Sequence, residues 1–155
     1  MAQHAAGLNG RRMMSLPSLM LLAAAGALFV AALAHFACIA VGPRAYRLMG
    51  AGDSAARAAE RGERGPHVAA FVVGSALLVV ASYALSGAGW LPGLPLLRWV
   101  LGGVSLVLLA RAFLFPLLRS HFPGNTDRFW WVSSTICLVL GGLLLFGAMP
   151  LWRVG

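Results

Sequence analysis

"LPLLRWVLGGVSLVLLARAFLFPLL", Leu94 to Leu118, is the stretch whose reading decides how this chain folds. Apart from Ser105, its hydrogen-bonding and charged side chains are confined to Arg98, Trp99 and Arg111. A guanidinium does not lose its proton in a protein, so Arg111 must be solvated by water, by headgroups or by another polar group. Read as a membrane span, the run holds Arg98 near one edge. Arg111 stands seven residues before Leu118, about 10 Å from the other edge at the helical rise.

Composition decides for lipid. The chain of 155 residues is 60% hydrophobic and only 10% charged, where a soluble domain carries roughly 25% charged residues. Three further apolar runs flank the first: Leu19 to Val41, interrupted only by His35, then Val68 to Leu85, and Phe129 to Met149. A bilayer-spanning helix needs about 20 apolar residues, and backbone groups in lipid must be bonded within the chain, which favours helices. No alternating ten-residue pattern suggests an outer-membrane barrel. The expected fold is all-α: an integral membrane four-helix bundle, antiparallel and up-down, forming a single membrane domain over residues 1–155. Its transmembrane helices fall at about 19–41, 68–85, 94–118 and 129–149.

The net charge is +8 and the chain has Arg but no Lys. In a soluble protein this balance would suggest nucleic acid. In loops flanking spans it sets topology and attracts anionic headgroups, so no nucleic-acid partner is expected. The loop 42–67 carries Arg44, Arg47, Arg57, Arg61 and Arg64, and the loop 119–128 carries Arg119 and Arg128. The positive-inside rule puts both loops in the cytoplasm and both termini outside, with the bacterial inner membrane as the location. Arg11 and Arg12 pull the other way. They also open a stretch with the outline of a secretory signal peptide ending at Ala34, although the apolar run continues to Val41, longer than a signal needs.

Within the long loop, "PRAYRLM" extends the first helix into the interface with Tyr46 as its anchor. The turn at Gly50 to Gly52 ends it, and Asp53 is placed to cap a short amphipathic helix over residues 54–61. There Arg57 and Glu60 stand three apart and Glu60 and Arg64 four apart, suited to ion pairs. "SGAGWLPGLP" reads as a tight hairpin and Pro123-Gly124-Asn125 as a breaker.

His35 lies about 9 Å from the edge at Val41, so it and Arg111 share a depth. Ser75 on the second helix and Ser134 and Thr135 on the fourth fall at the same level, with Cys38 and Cys137 nearby. One half of the bundle is therefore polar and the other apolar. Small residues suggest facing: Ala23, Ala27, Ala31 and His35 form a stripe expected to pack inward, Ser133, Cys137 and Gly141 another, and Gly102-Gly103 a break in the third helix. Three roles for Arg111 stay open. It snorkels to headgroups. It bonds a carbonyl, Ser134, Thr135 or Asp127 inside the bundle. Or it is the cation for an anionic ligand or lipid phosphate, with His35 as partner and Ser75, Ser134 and Thr135 lining the site.

Other chemistry lacks its residues. No carboxylate lies inside a span, as a cation-coupled exporter would need. There is no Cys-x-x-Cys for thiol exchange, no His or acid pattern at metal-ligand spacing, and no nucleophile elbow. No catalytic residue, metal or cofactor is expected.

The stretches "RLMGAGD", "YALSGAGWLPGLPLLR" and "LLARA" resemble an uncharacterised family of small bacterial four-helix integral membrane proteins, over roughly Leu33 to Ala112. The resemblance implies the four-helix fold and flags Arg98 and Arg111; it implies no reaction or substrate. Together these readings lead to the expectation of a non-enzymatic accessory or lipid-interacting module, with anionic headgroups and a second copy or a partner membrane protein as its contacts. The alternatives are a small transporter or channel with a polar cavity around Arg111 and His35, and a redox or cofactor-binding membrane protein using His35.

Overall fold

The computed structural model describes residues 14–50, 53–117 and 127–153. The described residues form an all-α fold with no strand among them. Six helices follow in order: α1 Leu16–Val41, α2 Pro43–Leu48, α3 Asp53–Glu60, α4 Gly65–Gly87, α5 Leu97–Phe113 and α6 Asp127–Arg153. A further helical turn covers residues 115–117. By length and composition α1, α4 and α6 can each cross a membrane.

The helix ends follow from local chemistry. α1 begins earlier than hydropathy alone suggests because Ser15 caps it, its hydroxyl accepting from the Ser18 N–H at 3.4 Å, with Pro17 in the first turn. Gly42, at φ 78°, ends α1 and turns the chain into α2. Beyond α4, Ser86 ties the hairpin: its hydroxyl donates to the Pro92 carbonyl at 2.8 Å and accepts from the Leu94 N–H at 3.1 Å.

The expected span at 94–118 is corrected to the 17-residue α5. Pro95 and the left-handed Leu96, at φ 56°, stop it in front. Behind, α5 ends at its cap residue Leu114, and Pro116 has no N–H to bond the Ala112 carbonyl and carry the helix on. Arg111 therefore stands in the last helical turn of α5, where a cation meets the negative end of the helix dipole. The expected break at Gly102-Gly103 does not occur. α5 runs through both, and Gly102 makes room for Trp152, whose ring would lie 3.1 Å from a Cβ there.

Neighbouring helices run antiparallel. α1 lies between α4 and α6, α5 packs along α6, and the backbones of α1 and α5 make no close approach. The core gathers Leu21, Leu28, Leu101 and Leu144, all nearly sealed. Leu21 sits in a notch made by two glycines: a Cβ would lie 2.9 Å from its Cδ1 at Gly87 and 2.7 Å from its Cγ at Gly147. This corrects the facing expected for α1. Ala23 and Ala27 are exposed, and the buried stripe is Leu21, Ala24, Ala25, Leu28, Ala32 and Cys38. The close approach is made by glycines on α4 and α6, leaving α1 to supply the larger side chain. Outward faces carry Phe29, Val30, Phe71, Leu106, Val107 and Ile136, an apolar surface suited to lipid.

A second cluster closes the Arg-rich end. Tyr46 of α2 and Ala56 and Ala59 of α3 pack with Cys38 and Ala70. α3 lays its alanine face on this cluster and shows Ser54, Arg57 and Glu60 outward.

Candidate functional site

The polar groups of the bundle meet where the last turn of α5 lies beside the first turns of α6. Arg111 Nη2 donates to Ser133 Oγ at 2.8 Å. Its Cζ lies 5.1 Å from the centroid of the Trp130 ring, a cation–π placement. Phe115 and Trp131 pair beside it, with ring centroids 5.1 Å apart. Three buried side-chain atoms have no hydrogen-bond partner: Arg111 Nη1, Trp130 Nε1 and Ser134 Oγ. They are the full set of such atoms among the described residues; Arg111 and Trp130 are in contact, and Ser134 is on α6 beside Ser133. Trp130 is 3% exposed and Ser134 6%. They stand one turn apart on α6 and so share a face.

The residues expected to form a site are partly gathered and partly dispersed. Arg111 and Ser134 belong to the corner. Thr135 does not: it is exposed, and its hydroxyl donates to its own helix at the Trp131 carbonyl, 2.9 Å away. His35 lies on α1, whose backbone makes no close approach to α5. Its Nδ1–H donates to the Ala31 carbonyl at 2.8 Å, and its Cβ faces Gly74 of α4. Ser75 is half-buried on α4. The pairing of His35 with Arg111 is thus replaced by a pairing of Arg111 with Ser133 and Trp130.

Sequence reasoning missed Ser133 as the partner of Arg111 and missed Trp130 altogether. Trp130 had one signal: its four-residue spacing from Ser134, which puts an indole N–H and a hydroxyl on one face.

The basic loop is also rearranged. Glu60 pairs with Arg47 across α2 and α3, in place of Arg57 or Arg64, and Arg61 pairs with Glu63 at 2.7 Å. Arg44, Arg57 and Arg64 are exposed, and none of them has an acid partner among the described residues. Tyr46, expected as an interfacial anchor, is buried. Its hydroxyl lies 3.0 Å from His67 Nδ1 at the start of α4. Burial pushes the Tyr46 phenol above its ordinary range, and charge on Cys38 adds to the rise. Arg128 is exposed at the start of α6. Arg11, Arg12, Arg119, the breaker at Pro123 to Asn125 and the side chain of Asp53 lie outside the described residues.

At the opposite end, the Arg98 Cζ lies 5.7 Å from the Trp99 ring centroid and 5.8 Å from that of Trp152. These rings meet edge to face at 4.8 Å. An open pocket of about 360 Å³ is lined there by Leu96, Leu97, Arg98, Trp99 and Leu151. Both rings are substantially exposed, as in an aromatic belt at a membrane interface. Among the described residues no group of His, Cys, Asp or Glu could hold a metal ion.

Compared with protein-family models, curated proteins and solved structures, the chain matches none.

Proposed function

We propose that this chain is a four-helix integral protein of the bacterial inner membrane that acts as a non-enzymatic accessory module, its basic end seated on anionic headgroups of the cytoplasmic leaflet. The observation that carries this reading is the charge left over at that end. Arg47 and Arg61 take up Glu60 and Glu63, and Arg44, Arg57 and Arg64 remain exposed with no acid partner among the described residues. A basic residue near an anionic membrane surface contributes about 1 kcal/mol. Three together favour anionic over neutral lipid strongly enough to measure.

The fourth span is α5. Its 17 residues cover about 26 Å at the helical rise, close to a hydrocarbon core of about 30 Å. The helical turn at residues 115–117 and the hairpin residues before Leu97 add the remainder. Exposed Leu106, Val107 and Phe113 suit a lipid-facing side.

A transporter with a cavity shared by Arg111 and His35 is the weaker reading, because His35 packs on Gly74 of α4 while Arg111 bonds Ser133 of α6. Sided labelling tests the topology. Single cysteines replacing Ser54 and Arg128 should react from the cytoplasmic side and one replacing Gly93 from the other, in a background with Cys38 and Cys137 changed to Ala. If Gly93 and Arg128 label from one side, α5 does not cross. Lipid retention tests the function: Arg44→Gln, Arg57→Gln and Arg64→Gln together should lower the preference for phosphatidylglycerol over a neutral glycolipid. An unchanged preference would remove the reading.

A further inference from the structure

The three unpartnered atoms in the corner of α5 and α6 are one cation N–H, one indole N–H and one hydroxyl. A buried polar group without a partner costs free energy, and more in lipid, where no water replaces the lost bond. Among the described residues the other buried side-chain N and O atoms are satisfied, as when Ser105 bonds the Gly141 carbonyl at 2.7 Å. The unmet atoms instead concentrate around Arg111, whose guanidinium meets the Ser133 hydroxyl and the Trp130 ring. Donors from two helices, one of them charged, form the complement of an oxyanion.

We propose that Arg111 Nη1, Trp130 Nε1 and Ser134 Oγ hold a phosphate-type oxyanion, supplied by the headgroup of a phospholipid or by a free phosphate from the aqueous side. The inference rests on the reading that this end of the bundle faces anionic headgroups, and it adds a discrete, saturable site to that diffuse attraction. Ser133 is the positioning residue. It engages Nη2 and leaves Nη1 for the ligand. The Trp130 ring holds the guanidinium from one face while its N–H remains available. The position suits both sources, since Arg111 is in the last turn of α5, at the end that carries the exposed arginines. All three atoms are buried, so the ligand enters as the Arg111 side chain, the longest of the three, swings aside.

The test uses the full chain in a maltoside detergent free of phospholipid, with the indoles labelled with nitrogen-15. Trp130→Phe identifies the Trp130 N–H resonance and removes that donor while keeping a ring for the cation. Two probes are added separately: inorganic phosphate, and phosphatidylglycerol in mixed micelles. Chloride and a neutral glycolipid are the controls. The expected result is a saturable shift of the Trp130 resonance with at least one probe. Ser134→Ala should weaken it about tenfold or more, the effect of losing one bond to a charged group, and Arg111→Gln should abolish it. A response to phosphatidylglycerol alone assigns the site to a lipid headgroup, and a response to phosphate assigns it to a soluble anion. A Trp130 resonance unmoved by both probes overturns the proposal, as does equal affinity in Ser134→Ala and wild type. The variant lacking Arg44, Arg57 and Arg64 separates the two readings, because it should lose diffuse preference for anionic lipid and keep the Trp130 response. Retained melting temperature in each variant shows that a lost response is not lost folding.

Discussion

Ser105 donates its hydroxyl proton to the carbonyl of Gly141 across 2.7 Å, stitching α5 to α6 where a glycine lets the two backbones approach. A Cβ on Gly141 would lie 2.9 Å from Leu109 Cγ and 3.2 Å from the Ser105 carbonyl oxygen. The side chain can yield a little, but the backbone oxygen cannot without separating the helices. Interhelical bonds of this kind contribute about 0.6 kcal/mol on average and up to about 1.7. Ser105→Ala should therefore cost on the order of 1 kcal/mol, and Gly141→Ala more. Gly142→Ala meets nothing within 4 Å and should be neutral or slightly stabilising. Unfolding of the three variants in mild detergent checks the order, and equal stability of Gly141→Ala and Gly142→Ala would refute the close contact.

Leu21→Ala should empty the notch between Gly87 and Gly147. Leu21 is 1% exposed and joins α1 to both α4 and α6. In water such a truncation costs about 2–5 kcal/mol, part transfer and part cavity. In lipid the transfer part is small, because the displaced chain finds an equally apolar surrounding. The cost should fall near the lower end, about 2 kcal/mol, read as a lowered melting temperature in detergent. Ala23→Leu, on the exposed side of the same helix, should leave melting unchanged.

The contrast between Leu21 and Ala23 marks how far the sequence could be read. Apolar run length located α1, α4 and α6 well, because lipid imposes one hydrophobic length on every span. It overran α5 because Leu94, Leu96, Phe115 and Leu117 are apolar but sit beside Pro95 and Pro116, and backbone chemistry outweighs hydropathy at a helix end. Facing was misjudged because α1 is apolar all round, so small residues were the only marker; the decisive small residues were Gly87 and Gly147 on its neighbours. The site was half-legible. Depth brought out Arg111 and Ser134 together, but depth cannot tell adjacent helices from diagonal ones, and it placed His35 in the same set. Glu60 chose Arg47 over the helical neighbours of its own segment because α2 and α3 fold against each other.

His35→Leu should separate the two versions of the site. His35 bonds the carbonyl of its own helix and is only half-buried, so leucine keeps the volume and lets Ala31 retain its helical bond. Stability should change by less than about 1 kcal/mol. Retention of phosphatidylglycerol should match wild type, whereas Arg111→Gln should reduce it. Loss of lipid in His35→Leu would restore His35 to the binding set.

Burial of the Tyr46 phenol gives the fold a sensitivity to alkali. Burial, and then charge on Cys38, raises the folded-state phenol above its ordinary value of 10.0. The neutral phenol is therefore favoured by folding. Its contribution is complete below the unfolded value and is lost as pH rises from there through the folded value, because the unfolded chain ionises first. Wild-type stability should fall as pH is raised past about 10. Tyr46→Phe should make that decline shallower, with a cost at neutral pH of about 1 kcal/mol for the hydroxyl's bond to His67 Nδ1. Thermal unfolding across the alkaline range, wild type beside Tyr46→Phe, reads both effects. Parallel curves would mean that the phenol is solvated in the folded protein and that burial does not hold it neutral.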